Sequence, residues 1–305
     1  MTTYSTRFVA AIALAIGIIV IASASILIRL AQSADVPSIV IAAVRLGISA
    51  SVLSLIVAVK HAQFPVGVTP MQALLAVLSG VCLAVHFASW IQSLEYTSVA
   101  SSAALVTTNP LWVGIAAWIL FGERLNSWRV SGMVLTIAGS LAIALSDQQT
   151  QQGSNPLLGN FLAVMGAICG SAYFLLGRGL RNQLPLLHYI WMTYGSAAVV
   201  LLMAALATGH TELGYAPDVW LILLGLALGP QLIGHTTINF AMRHFSALLV
   251  TIAILGEPIG SALLAFALFE ETIAPLQLAG FAGLLVGIAI TAIGETKQHH
   301  EQHTA

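Results

Sequence analysis

The sequence predicts an all-α polytopic membrane protein in which ten transmembrane helices form two inverted five-helix repeats. Three observations predict it. Hydrophobic residues make up 58% of the 305-residue chain and charged residues only 7%, against roughly 25% charged in a soluble domain. The apolar residues gather in runs of about 17–25, the length that crosses a bilayer as a helix. The third observation is an internal repeat. A shift of 148 positions lays Ser98 on Ser246, Pro110 on Pro258, Phe121 on Phe269, Glu123 on Glu271, Gly132 on Gly280 and Gly139 on Gly287, without a gap. Each half holds five runs, an odd number, so the second copy enters the membrane the opposite way up.

The first run, 8–30, is too long for a signal-peptide core and lacks a small-residue cleavage site, so it is expected to stay in the mature chain. Ser23 puts a hydroxyl inside it. The second, 37–59, carries Arg45. The third, 71–93, spaces Cys82, His86 and Trp90 four residues apart, which puts them on one helix face. The fourth, 98–121, is centred on Asn109-Pro110. Proline has no amide proton and pushes aside the carbonyl four residues back, here Val106, so a kink is expected. The fifth, 128–146, follows Glu123 and holds Gly132 and Gly139.

A polar stretch, Asp147–Pro156, joins the halves. The sixth run, 157–177, contains Cys169 and Tyr173, and the seventh is 187–207. The eighth, 218–240, repeats the stripe of the third with Gln231, His235 and Asn239 at an offset of 149. A loop of different length would absorb the one-residue slip. The ninth, 246–269, has Glu257-Pro258 near its centre, which frees the carbonyl of Ile254. The tenth, 276–294, follows Glu271 and carries Gly280, Gly283 and Gly287. The expected units are a first repeat at 1–147, a second at 157–294 and a tail at 295–305.

Basic residues favour the cytoplasmic side of a membrane. Arg7, Lys60, Arg124, Arg129, Arg178, Arg181, Arg243 and Lys297 fall at the termini or the even-numbered connections. Both termini are therefore expected in the cytoplasm, with Arg29 at an outer helix end and the chain multi-pass in the cell membrane, for a bacterium the inner membrane. Asp35, Glu95, Asp147, Glu212, Asp218, Glu270 and Glu271 lie on the odd connections. A net charge of −1 gives no reason to expect nucleic acid. Cys82 and Cys169 read as small apolar residues within spans. His299, His300 and His303 belong to a tail expected to fray in solvent.

Several chemistries lack their residues. The chain has no G-x-x-x-x-G-K-[ST] phosphate loop, no H-E-x-x-H helix and no G-x-S-x-G elbow, each of which a corresponding catalytic mechanism requires. An enzyme is not expected, nor a cofactor or a metal site.

Inside the membrane the polar inventory is short. Glu257 is read as the only acid within a span. A carboxylate at the bilayer centre costs about 2.5–3.5 kcal/mol on insertion scales unless neutral, paired or wetted. It serves either as a protonated or paired structural group or as a handler of substrate or protons. Asn109 stands at the related place in the first half and offers an interhelical hydrogen bond or a ligand contact. The stripes bearing His86, Trp90, His235 and Asn239 read as cavity walls or as satisfied packing residues. Arg45 either snorkels, pairs with an acid such as Glu257, caps freed carbonyls or meets substrate. Glu123 and Glu271, just ahead of the fifth and tenth helices, suit the positive ends of those helix dipoles. The glycines of those helices are a packing signal, which leaves a monomer and a homodimer both open.

The stretches Ser98–Asn109-Pro110–Phe121-Gly122-Glu123 and His235–Asn239–Ser246–Gly256-Glu257-Pro258–Phe269-Glu270-Glu271 resemble the paired EamA repeats of the drug/metabolite transporter superfamily. Arg45 also matches a position where that family typically has arginine. The resemblance covers nearly the whole chain. It implies a ten-helix bundle with both termini inside, a central cavity lined by helices 1, 3, 4, 6, 8 and 9, and export of small metabolites such as amino acids. The first repeat departs from the second in having Asn109 where the second has Glu257, so there is no symmetric carboxylate pair.

Cavity chemistry narrows the expected cargo. One carboxylate, two imidazoles, amides and an indole suit a zwitterion or an organic cation. Glu257 would hold an ammonium group, Trp90 an apolar or cationic portion, and the His and Asn groups a carboxylate. Tyr173 and Ser23 add hydroxyls or simply pack. Phosphorylated cargo would call for several Lys or Arg at mid-depth, and only Arg45 is available. The expected activity is secondary export of amino acids or related metabolites, with or without protons as the coupling ion. The alternatives are export of drugs or organic cations and, from a different class, a non-transporting scaffold or lipid-handling protein.

Overall fold

A computed structural model describes residues 3–60, 68–122, 126–150, 153–242, 244–245, 250, 253–254 and 256–304. Among them there is helix but no strand. In chain order the helices are α1 (Thr3–Ala22), α2 (Ala24–Ser33), α3 (Ser38–Val59), α4 (Pro70–Ser93), α5 (Val99–Val106), α6 (Asn109–Phe121) and α7 (Ser127–Thr150). The second half has α8 (Pro156–Gln183), α9 (Leu186–Ala207), α10 (Pro217–Leu226), a π-helical segment (Ala227–His235), α11 (Thr236–Ala241), α12 (Gly256–Phe269) and α13 (Pro275–Thr304). Among the described residues eight stretches are long and apolar enough to cross a membrane, and the apolar helices Gly256–Phe269 and Pro275–Thr291 are shorter.

The surface is largely apolar, and polar groups are buried beside an apolar core. Ile16, Ile19, Leu55, Val134, Leu141, Leu202 and Phe266 are exposed, while Arg45, Asp147, Gln231 and Asn239 are buried. An apolar belt around a polar interior is what a lipid solvent selects, because no water is available there for polar groups.

Local chemistry sets the helix starts. Thr69 and Gln72 form a reciprocal capping box ahead of α4, with Pro70 in the first turn, where its missing amide costs nothing. Ser98 caps α5 by accepting from Ser101 N at 3.1 Å, and Asn155 caps α8 by accepting from Leu158 N at 3.2 Å. The C-terminal tail does not fray: the backbone of α13 stays helical to Thr304.

The fourth span is interrupted, a larger break than the expected kink. Its helix stops at Val106 and restarts at Asn109. Thr107 and Thr108 satisfy carbonyls of the preceding turn through their hydroxyls, at Ala104 O (2.9 Å) and Leu105 O (2.7 Å). In the second half, Ala253 and Ile254 are helical just ahead of Glu257 and Pro258, which lie at the start of the described part of α12. The first span is also divided, at Ser23, whose hydroxyl is bonded to Val20 O at 2.7 Å.

A separate two-residue change of offset arises within a helix. Counted from the prolines that open α4 and α10, Pro70 and Pro217, His86 comes 16 residues later and His235 comes 18. The π-helical turns between Ala227 and His235 hold more residues each than α turns, so they take up the excess and keep His235 on the face that matches His86. Pro230 lies inside this segment and removes an amide donor. One turn of the segment is tied to α3, with Ser49 Oγ donating to Ala227 O at 3.0 Å.

The halves pack through like elements. On α7 and α13, Gly132 faces Gly287 and Thr291, while Gly139 faces Gly280 and Leu284. Numbers that rise along α7 meet numbers that fall along α13. These equivalent helices are antiparallel, as two inverted repeats require. The glycine stripes thus join the halves of one chain.

At the end of the bundle that carries the link between halves, polar groups tie several spans together. Arg29 donates to Thr97 O at 2.8 Å and lies 3.7 Å from Glu271. Glu271 accepts from Val99 N at 3.0 Å. Its carboxylate therefore serves the N-terminus of α5 and not the helix that follows it, which corrects the dipole role expected from sequence. The reason is the chain path: Glu270 takes a left-handed conformation, φ 56°, and the turn brings Glu271 against α5. Glu123 lies outside the described residues.

Candidate functional site

A narrow cavity of about 50 Å³, room for a few waters, lies where the interrupted helices meet. Its lining comes from α1 (Ile21), α4 (Leu83, His86, Trp90), α5 and α6 with the link between them (Val106, Thr107, Asn109), α8 (Gly170, Tyr173, Phe174), the π segment and α11 (His235, Ile238), Ile254 and Glu257. Six of the eight predicted binding residues therefore share one wall system: Glu257, Asn109, Trp90, His86, His235 and Tyr173. Asn109 opens α6, with Pro110 in its first turn, and Glu257 is followed by Pro258 within α12. Arg45 and Asn239 stand behind the wall.

Each lining group is held by a definite partner or by none. His86 Nδ1 lies 2.7 Å from Gly166 O. A carbonyl only accepts, so Nδ1 carries the proton, and in the neutral ring Nε2 remains as an acceptor. The imidazole stacks near Trp90, with ring centroids 6.1 Å apart. Asn109 Oδ1 accepts from Ser171 Oγ at 3.1 Å. Gly170 allows this approach, because a Cβ there would fall 2.9 Å from His86 Nδ1 and 3.2 Å from Asn109 Oδ1. Tyr173 and Asn239 are bonded to each other, Nδ2 to the phenol oxygen at 3.2 Å. Asn239 Nδ2 also reaches His235 O at 2.8 Å, which leaves its amide little to offer a ligand.

Glu257 is 9% exposed, and its carboxylate makes no hydrogen bond or ion pair among the described residues. It opens onto the cavity.

Arg45 does not snorkel. It is fully buried, with its guanidinium 4.1 Å from the Phe87 ring and 5.8 Å from that of Trp90. Nε donates to Gln231 Oε1 at 2.8 Å. It neither pairs directly with Glu257 nor caps a freed carbonyl.

Two groups escaped the sequence reading. Asp147 is a second buried acid within a span, 0% exposed, so Glu257 is not alone. Its oxygens accept from Ser101 Oγ (2.9 Å), Asn160 Nδ2 (2.8 Å) and Gln277 Nε2 (2.9 Å). Position hid it: α7 runs on through residues that read as the start of a polar link. Tyr194, buried beside Arg45 and Gln231, stands 149 residues after Arg45. The offset of the two stripes would have found it.

Both stretches 8–145 and 157–293 match the model of the EamA-like transporter family. The chain belongs to the EamA-like transporter family. Two uncharacterized transporters of Archaeoglobus fulgidus are similar to this EamA-like chain, one 24% identical across 67% of it and 70% of its own length, the other 23% identical across 73% and 75%. The uncharacterized transporter YetK of Bacillus subtilis is 32% identical over a shorter stretch, 27% of this chain and 25% of YetK. A solved crystal structure superposes with a TM-score of 0.63 at 20% identity, over 94% of this chain and 97% of its own. That likeness establishes the fold. Membership establishes a multi-pass transporter of the drug/metabolite superfamily, a protein that binds a small solute within the bilayer.

Proposed function

We propose that this chain is a secondary exporter of amino acids or related small zwitterions, working by alternating access across the cytoplasmic membrane. One observation carries the reading: Glu257 and Asn109, each followed by a proline, line the same cavity as a carboxylate and an amide. In this arrangement Glu257 receives the ammonium group of the solute or a proton. Trp90 packs on its apolar part, and His86, His235 and Asn109 meet its polar end. Tyr173 and Asn239 brace the wall, and Arg45 contributes charge from behind it. Repeats 1–147 and 157–294 rock about this point, with both termini and the tail 295–305 on the cytoplasmic side. The bundle end joined through Arg29 and Glu271 is then external.

A second reading is export of drugs or organic cations, favoured by the meeting of one carboxylate with Trp90 and Phe174 in a largely apolar cavity. Cells over-expressing the chain, grown on toxic amino-acid analogues and on cationic dyes, separate the two. Resistance to analogues supports the first reading and resistance to dyes the second. Resistance to neither sinks both and favours a scaffold or lipid-handling role.

A further inference from the structure

Behind the cavity wall, buried donors outnumber acceptors. Both terminal nitrogens of Arg45 are buried without a hydrogen-bond partner. So are Gln231 Nε2, the Tyr194 hydroxyl and Trp90 Nε1. These groups form one cluster. Gln231 accepts from Arg45 Nε, Trp90 lies over the guanidinium, and Tyr194 sits against Gln231 and Arg45. Arg45, Gln231 and Tyr194 each have no exposed surface.

Water resolves this arrangement poorly. A water that accepts from two of these donors must place its own two protons, for which the cluster offers Gln231 Oε1, already engaged by Arg45, and the hydroxyl oxygens of Tyr194 and Thr236. An anion accepts from every donor and asks for nothing in return. A buried cation also needs a counter-charge, and the planar fork of a guanidinium matches a carboxylate through paired N–H···O bonds.

We infer that Arg45, Gln231 and Tyr194 form a receptor for a monovalent anion, a carboxylate or a halide, reached from the cavity past the Trp90 side chain. The inference rests on the proposed transport function where the carboxylate is that of the cargo. Charge balance favours that source. A zwitterion with its carboxylate on Arg45 and its ammonium group on Glu257 leaves the site neutral, whereas a halide leaves Glu257 uncompensated. The rings of Trp90 and Phe87 against Arg45 keep solvent from the guanidinium until Trp90 turns.

The test is thermal unfolding of the full chain in lipid nanodiscs, in zwitterionic buffer free of small anions, with chloride, acetate, glycine or alanine titrated in. A ligand of the native state raises the midpoint in a saturable way. We expect acetate and the amino acids to do so, with apparent affinity weakened about tenfold in Tyr194→Phe, the loss of one hydrogen bond to a charged group. The effect should vanish in Arg45→Gln. Should Arg45→Gln fail to fold, Gln231→Leu and Tyr194→Phe decide the matter, since Tyr194→Phe keeps the ring and removes only a hydroxyl. A rise with chloride alone keeps the receptor and assigns it to an inorganic anion. No rise with any anion, or a rise unchanged in Tyr194→Phe and Gln231→Leu, overturns the inference. Failure of the transport reading registers elsewhere, as over-expressing cells resistant to neither toxic amino-acid analogues nor cationic dyes.

Discussion

Gly132 and Gly287 stand back to back across α7 and α13, so that a Cβ on either would fall 2.7 Å from the carbonyl oxygen of the other. Gly139 and Gly280 repeat the arrangement further along, at 2.6 and 2.9 Å. In lipid the hydrophobic effect does not draw helices together, and close backbone packing has to. Leucine at Gly132 or Gly287 meets backbone, which cannot give way as a side chain does. Each substitution should cost about 1–3 kcal/mol, read as a lower thermal midpoint in detergent. An unchanged midpoint for Gly287→Leu would show that the clasp is loose.

Glu257→Gln separates a structural acid from a working one. An amide is cheaper to bury than a carboxylate, so a purely structural Glu257 predicts a variant that folds and transports well. We expect it to fold and to lose most of its liposome flux. Should protons pass through this carboxyl, wild-type flux will depend on pH and the variant will have lost that dependence. Equal flux in both proteins across acidic and mildly alkaline pH would falsify the assignment.

Glu271 carries a pH signature of its own. Burial pushes its carboxyl above the usual range, outweighing the Arg29 guanidinium and the Val99 and Ala100 amides, which pull it down. A raised carboxyl holds its proton more tightly when folded. Its contribution to stability is therefore complete below the ordinary carboxylate range and falls away as pH rises through the folded value. The advantage of wild type over Glu271→Gln should shrink from acid to neutral pH in thermal melts. An advantage that grows with pH would contradict burial as the dominant cause.

Topology has a direct test. Reporters fused after Lys60, after Gly122 and at the C-terminus should read cytoplasmic, and those after Gln149 and Glu212 external, because Arg and Lys cluster at the termini and even connections. A cytoplasmic signal after Gln149 would contradict the inverted insertion of the halves.

Much of the architecture is legible in the chain because lipid demands long apolar runs and the repeat shows itself residue by residue. The stripes bearing His86 and His235 likewise announce a shared wall. What escapes is whatever depends on where a helix ends or how it winds. Asp147 reads as a surface acid because it borders a polar stretch, yet α7 carries it inward to Ser101, Asn160 and Gln277. The π-helical turns leave only a change of offset in the repeat. Glu271 finds its partners, Arg29 and Val99, across the fold at separations no local pattern encodes.

The wide turns around Gln231 have one more effect. Arg45, Gln231 and Glu257 occupy places that the other half fills with Tyr194, Cys82 and Asn109, so the site is chemically lopsided although the scaffold around it is nearly the same twice over. A solute with distinct ends fits such a chamber in one sense only. It enters and leaves without tumbling, because the doors exchange roles while the polarity of the room stays fixed.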